Sequence, residues 1–203
     1  MIADICRLVR IDSSRGKPLP GKPFGEGPAA VLAEALRMAD GMGLKTKNYD
    51  NYVGTVDLND RPHQLDILVH LDVVPAGDGW TVTRPFEPVT VEGRLYGRGT
   101  ADDKGPAVAA LYALRAARDM KLLLRRGVRL ILGTDEECGS SDIRHYYQKE
   151  AEAPMTFSPD ADFPLVNIEK GRFSDTFSAE WAADTRLPRL VSFDGGVKDN
   201  VVP

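Results

Sequence analysis

The stretch Leu65-Asp-Ile-Leu-Val-His-Leu71 decides the fold class, because it is almost continuously apolar over the length of one strand. Runs of this kind are typical of strands that are buried on both faces of a parallel sheet. A second such run, Val128-Arg-Leu-Ile-Leu132, follows the clearest helical pattern, which spans 103–120 with Pro106 in its first turn. Strands that alternate with helices predict an α/β fold with a largely parallel central sheet flanked by helices.

The composition excludes several classes of protein. The chain has 203 residues, with 26 Lys and Arg against 30 Asp and Glu, which gives a net charge of −4. A hydrophobic content of 42% and a charged content of 28% are typical of a globular protein, not of a disordered or fibrous one. The mild acidity, without a basic stripe, argues against a nucleic-acid partner. No apolar run approaches the ~20 residues of a membrane span, so we expect no membrane partner.

The cysteines and the N-terminal residues indicate the compartment. Two cysteines, Cys6 and Cys138, argue against a disulfide scaffold. The first residues lack a basic segment followed by an apolar core, which is the pattern of a secretory signal. We therefore expect a cytoplasmic protein. The chain has only 3 histidines, which excludes a mechanism that needs a cluster of histidines within it.

Polar side chains follow several predicted strands at the points where these strands end. In open α/β sheets, binding sites form beyond the carboxyl ends of the strands. Four separate loops therefore place acids and one imidazole at one edge of the sheet. These residues are His70 and Asp72, Asp102, Glu136 and Glu137, and Asp160.

Such a group of carboxylates indicates a metal site, because the carboxylates repel one another unless a cation neutralises them. One histidine with several carboxylates suits zinc, and also cobalt or manganese. A carboxylate can bridge two ions about 3.5–4 Å apart. In the Glu136-Glu137 pair, one side chain can bind metal while the other takes a proton from water.

Each of these residues also has an ordinary structural interpretation when it is taken alone. His70 could be a hydrogen-bonded core histidine. Asp102 could cap the helix that follows, and Asp160 could be a turn residue. The acidic Asp135-Glu136-Glu137 run could be a solvated turn. Only their joint occurrence at strand ends favours a site.

Four phrases of the sequence are specific enough to resemble a known family. The chain resembles the M20 family of cocatalytic zinc peptidases, and within it the branch of PepV-like and Xaa-His dipeptidases. The phrases are His70-Leu-Asp-Val-Val-Pro-Ala-Gly-Asp-Gly-Trp80, Gly97-Arg-Gly-Thr-Ala-Asp-Asp-Lys-Gly-Pro106, Thr134-Asp-Glu-Glu-Cys-Gly-Ser-Ser-Asp142 and Phe157-Ser-Pro-Asp-Ala-Asp-Phe-Pro164.

The resemblance implies a role for each residue of the predicted site. Two divalent ions, most consistent with Zn²⁺ and with Co²⁺ or Mn²⁺ as alternatives, would be bound. Asp72 would orient a metal-binding imidazole, Glu136 would be the general base, and Asn200 would face the substrate. The resemblance also implies a cis peptide bond after the bridging aspartate. The metal ligands would be His70, Asp102 as the bridge, Glu137 and Asp160.

The resemblance also implies a division into domains. Residues 1–184 would form the N-terminal part of the catalytic metallopeptidase domain. Residues 185–203 would be a linker and the beginning of an inserted α+β lid domain, whose remainder is absent. Family members carry further histidines in the lid and after it, and no histidine follows His145 here. We therefore expect a truncated chain, which by itself could be inactive.

The function implied is metal-dependent hydrolysis of dipeptides by a water that two metals activate, with a glutamate as general base. The substrate would be a small peptide. One alternative is an M20 deacylase or desuccinylase that acts on N-acyl amino acids, because such enzymes share these metal residues. The other is a non-catalytic binding or dimerisation module of the same fold.

Overall fold

The computed structural model describes residues 1–162, 166–168, 171, 175–176 and 178. This part of the chain contains four α-helices, a single-turn 3₁₀ helix (Glu136–Cys138) and seven strands. The chain divides into two units, Met1–Ala161 and Asp162–Pro203, and all of these elements lie in the first. The predicted boundary at residue 184 and the lid segment 185–203 lie outside the described residues. The helices are α1 (Ile2–Val9), α2 (Glu26–Gly41), α3 (Lys104–Asp119) and α4 (Ser141–Tyr146), and the strands are β1 (Lys45–Tyr49), β2 (Val53–Asp57), β3 (His63–His70), β4 (Val89–Val91), β5 (Arg94–Tyr96), β6 (Gly127–Gly133) and β7 (Met155–Phe157).

The central sheet has five strands in the order β1-β2-β6-β3-β7. Strand β3 pairs in parallel with β6 and with β7, whereas β1 pairs with β2, and β2 with β6, in antiparallel fashion. The sheet is therefore mixed, and the half that carries β3, β6 and β7 is the parallel part. The antiparallel edge follows from the short connection between β1 and β2, where Asp50 and Asn51 both have positive φ. The predicted α/β class with flanking helices is confirmed.

Strand β6 separates two layers of apolar side chains. Successive side chains of a strand point to opposite faces, so Leu130 and Leu132 face one layer and Ile131 the other. The first layer is the main core, in which these two leucines pack with α2 and α3 residues such as Leu32 and Val108. On the opposite face, Ile131 belongs to a smaller cluster with Tyr49, Val53 and Tyr146. The two buried strands predicted from the sequence thus lie at the centre of the sheet.

The parallel pairing determines where the polar residues meet. His70 at the end of β3 is in register with Gly133 at the end of β6. The chain leaves both strands at the same edge, and β7 ends near that edge at Phe157. Helix α3 begins at Lys104, directly after the pair Asp102-Asp103. Four separate segments therefore deliver side chains to one place.

The longest helices, α2 and α3, have 16 residues each, and no helix in the described part of the chain is long and apolar enough to cross a membrane.

Candidate metal centre

His70 is the centre of the candidate site. It is the last residue of β3, and its side chain is only 3% exposed. Its Nδ1 lies 3.0 Å from the backbone carbonyl oxygen of Asp72 and 3.4 Å from the Asp72 carboxylate. A carbonyl oxygen only accepts hydrogen bonds, so Nδ1 carries a hydrogen and donates it. Asp72, the predicted orienting residue, therefore contacts Nδ1, and its carbonyl oxygen is closer to that atom than its carboxylate.

The other ring nitrogen of His70 faces three carboxylates. Nε2 lies 3.0 Å from Asp102 Oδ1, 3.3 Å from Asp160 Oδ2 and 4.0 Å from Glu136 Oε2. Burial by itself would lower the pKa of His70, but hydrogen bonds with Asp102, Asp160 and Asp72 raise it well above its ordinary value. Three carboxylate oxygens around one imidazole nitrogen require positive charge at that point. This donor set fits a divalent cation.

Asp103 is a site residue to which the sequence analysis assigned no role. Its side chain is buried, and its Oδ2 accepts the backbone N–H of His70 at 3.1 Å. Its Oδ1 is buried without a hydrogen-bond partner, which is a second observation that fits a cation nearby. Burial, and then the charges of Asp160 and Asp102, raise the pKa of Asp103 to about 7. The only sequence signal was its position beside Asp102.

The ligand atoms of three residues lie close enough to hold one ion. His70, Asp103 and Asp160 each offer one atom, and these atoms lie within 4.8 Å of one another. Asp102 is a fourth residue that could contribute a ligand atom here, because its carboxylate contacts the imidazole of His70. The peptide bond between Asp102 and Asp103 is cis, as the resemblance implied.

Glu136 and Glu137 lie on a turn that Asp72 holds. The two oxygens of the buried Asp72 carboxylate accept the backbone N–H groups of Glu136 and Glu137, each at 3.1 Å. The side chain of Glu136 is 53% exposed, although its carboxylate reaches His70. Burial, and then the negative charges of Glu137 and Asp72, raise the pKa of Glu136, against the opposing effect of His70. A half-exposed carboxylate with a raised pKa is suited to accept a proton from water.

The structure therefore brings most of the predicted site together. His70, Asp72, Asp102, Glu136 and Asp160 meet at the predicted edge of the sheet. Glu137 lies on the same turn and is tied to Asp72 through its backbone. Asn200 lies outside the described residues, and its role stays a prediction.

A cavity opens beside these groups. Its volume is about 240 Å³, and Leu68 and Ile143 give it an apolar wall. Its polar lining consists of His70, Glu136, Ser140, Asp142, Ser158 and Asp160. A small molecule in this cavity would therefore lie against both the imidazole and the Glu136 carboxylate.

Comparison with known proteins yields both sequence and structural relatives. The pattern that defines peptidase family M20/M25/M40 matches residues 67–180, which is more than half of the chain. Over 207 residues, the chain is 42% identical to the protein named "Putative dipeptidase YtjP" of Bacillus subtilis (strain 168). It is 36% identical, over 207 residues, to the Beta-Ala-Xaa dipeptidase of Lactobacillus delbrueckii subsp. lactis.

Both alignments cover 100% of this chain and 44% of the relative, so the chain spans less than half the length of these relatives. Among solved structures, human carnosine dipeptidase 1 is similar with a TM-score of 0.66 at 25% identity. That similarity covers 79% of this chain and 38% of the human chain.

Proposed function

Because the chain belongs to peptidase family M20/M25/M40, we propose that the whole protein hydrolyses dipeptides in a metal-dependent reaction. One observation carries the proposal: the Nε2 atom of His70 lies within 4.0 Å of carboxylates from three separate segments, and one of them is the half-exposed Glu136. The relatives named as dipeptidases support the substrate class.

We propose that two divalent cations, zinc or alternatively cobalt or manganese, occupy this edge of the sheet. When bound, such ions lower the pKa of a water molecule and polarise the peptide carbonyl. Asp102 would be shared between the two sites, and Asp72 would keep the hydrogen of the imidazole on Nδ1 so that the Nε2 lone pair stays available. Asp103 holds the backbone of His70 in place by accepting its N–H group. The ligands would be His70, Asp102, Glu137 and Asp160.

Glu136 acts in both halves of the proposed reaction. Its carboxylate accepts a proton from the water that attacks the carbonyl carbon of the peptide. The same proton then passes to the departing amine as the C–N bond breaks, so Glu136 ends in its starting state. Burial, together with the charges of Glu137 and Asp72, raises the pKa of Glu136, which makes its carboxylate a stronger proton acceptor. Asn200 would contact the substrate.

Turnover of the whole protein on matched substrates tests the proposal. A dipeptide and the N-acetyl and N-succinyl derivatives of its C-terminal amino acid would be compared. We expect hydrolysis of the dipeptide, loss of activity on chelation and recovery when Zn²⁺, Co²⁺ or Mn²⁺ is added. Faster turnover of the acyl derivatives would identify a deacylase instead. A metal-loaded protein that hydrolyses none of them would be a binding module.

A further inference from the structure

Four consecutive backbone N–H groups in the turn after β6 each donate to a buried carboxylate. The second pair, from Glu136 and Glu137, donates to Asp72, as described above. The first pair, from Thr134 and Asp135, donates to Oδ2 of Asp142 at 2.6 and 3.0 Å. No step of the proposed reaction uses Asp142, and yet its carboxylate holds the start of the segment that carries the general base.

Asp142 is built into the structure. It is fully buried in the first turn of α4, and its Oδ1 accepts the backbone N–H of Ile143 at 2.7 Å. A Cβ on Gly133 would lie 2.7 Å from Oδ2 of Asp142, so a glycine at the end of β6 allows the carboxylate to approach the backbone. One side chain thus joins the end of the central strand to the start of α4.

Hydrogen bonds from the start of α4 back to Asp135 also hold the turn. Oδ2 of Asp135 accepts the backbone N–H of Ser141 at 3.2 Å and its hydroxyl at 2.5 Å. The other oxygen of Asp135 is paired with Arg15. Residues 134–135 and 141–142 therefore hold each other through reciprocal bonds, and Glu136 and Glu137 lie between them.

We propose that Asp142 is a positioning residue for the general base, an inference that rests on the proposed function of Glu136. Asp142 fixes the backbone at Thr134 and Asp135, and Asp72 fixes it at the next two residues. Together they determine where the Glu136 carboxylate lies relative to Nε2 of His70. Asp142 borders the cavity, but its side chain is fully buried and its carboxylate is bonded to the backbone. It therefore acts through this backbone and not through contact with the reacting atoms. A displacement of about 1 Å in a reacting group can reduce the rate about 10²-fold.

The test is the variant Asp142→Asn in the whole protein. The substitution keeps the size of the side chain but replaces one carboxylate oxygen with an NH₂ group, which cannot accept a hydrogen bond. Glu137, a proposed metal ligand, lies on the same segment, so kinetics are measured at saturating metal with the metal content of each sample determined. Under these conditions we expect kcat to fall by about 10- to 100-fold while KM stays unchanged. Backbone amide hydrogen exchange at residues 134–137 should accelerate.

Asp66→Asn is the matched control. Asp66 is also buried, and it accepts a single backbone N–H, from Ala153 at 3.2 Å. It lies within β3 and away from the turn. This variant should retain the parental kcat and the parental exchange at residues 134–137. An equal loss of kcat in both variants would mean that any buried substitution has this effect, and would overturn the assignment.

Further outcomes separate this inference from the proposed function. If the unsubstituted protein hydrolyses no dipeptide, the proposed function fails, and with it the inference. If it hydrolyses dipeptides and Asp142→Asn keeps its kcat and exchange rates, only the inference is wrong. If Asp142→Asn does not fold, Gly133→Ala presses the added Cβ against the same carboxylate and should lower kcat without raising KM. An unchanged kcat in folded Gly133→Ala would then overturn the inference.

Discussion

At the scale of single residues, the imidazole of His70 separates two kinds of acid. On the Nδ1 side, Asp72 is 1% exposed and makes directional bonds to the imidazole and to the turn. On the Nε2 side, Asp102 is 61% and Asp160 is 29% exposed, so these carboxylates remain accessible to an ion. Asp72 therefore positions the imidazole and the turn, whereas Asp102, Asp160 and the buried, unpartnered Oδ1 of Asp103 are the oxygens that could bind an ion.

Asp72→Asn should weaken metal binding by about 10-fold, the low end of what partners that orient a metal-binding histidine contribute. The variant keeps the backbone carbonyl oxygen that accepts from Nδ1 of His70 and loses only the carboxylate charge 3.4 Å from that atom. The amide would also lose one of the two acceptors for the N–H groups of Glu136 and Glu137. Calorimetric titration of the metal-free protein with Zn²⁺ measures the affinity. The control is Asp78→Asn, an exposed acid in the following loop, which should bind Zn²⁺ as the unsubstituted protein does. Equal affinities for both variants would contradict the role of Asp72.

The sequence predicted the accessible acids of the site better than the buried aspartates that hold the backbone around it. His70, Asp102 and Asp160 could be brought together because strand ends and sequence phrases both mark them. The roles of Asp103 and Asp142 could not be predicted, since each depends on a bond to a backbone N–H group outside its own helix, of His70 for Asp103 and of Thr134 for Asp142. In the sequence, an aspartate at the start of a helix looks the same whether it caps the helix or holds another loop.

At the scale of elements, the start of α3 is locked against the loop that carries Asp102. An ideal Cβ on Gly105 would lie 2.0 Å from the backbone oxygen of Thr100. The first residue of α3, the buried Lys104, makes a second contact: its Nζ donates to the carbonyl oxygen of Ile11 at 2.8 Å. Burial lowers the pKa of this lysine to about 8. The beginning of α3 therefore packs directly against the loop at Thr100 and is bonded to the segment after α1.

Gly105→Ala should destabilise the protein, although alanine is the better helix former. The added Cβ overlaps a backbone atom, and such overpacking typically costs about 1–3 kcal/mol. Gly41→Ala at the end of α2 is the matched control, because nothing lies within 4 Å of its Cβ position. That variant should be more stable by up to about 1 kcal/mol. Urea unfolding measures both, and a stabilised Gly105→Ala would show that the loop can yield.

Elements with a strong apolar pattern were predictable and those without one were not. Strands β3 and β6 and helix α3 follow from such patterns. Strand β1 did not, because Lys45-Thr-Lys-Asn-Tyr49 is mostly polar and exposed. It forms through pairing with β2, and this pairing makes one edge of the sheet antiparallel. Long-range pairing is not visible in the local sequence.

At the scale of the whole molecule, folding and metal binding should be coupled. The net charge is −4, and several of the acids crowd one edge of the sheet. An ion that binds only the folded state stabilises it by about 2.7 kcal/mol at 100 times its dissociation constant. We therefore expect Zn²⁺ to raise the melting temperature and EDTA to lower it again.

His70→Ala provides the control for that measurement, since the variant lacks the imidazole that we propose as the central ligand. Its melting temperature should respond little to Zn²⁺. If the unsubstituted protein and His70→Ala respond equally, the ion binds elsewhere, and the carboxylates around His70 are not its site.

The central claim is that Glu136 transfers the proton in a metal-dependent hydrolysis, and Glu136→Gln in the whole protein tests it most directly. The amide has nearly the same shape but cannot accept a proton from water. With metal content measured in the same sample, we expect full metal binding and a kcat for dipeptides reduced about 10²- to 10⁴-fold. Glu152→Gln, at an exposed position, should keep the parental kcat. A Glu136→Gln protein that binds metal and retains near-parental kcat would contradict the account.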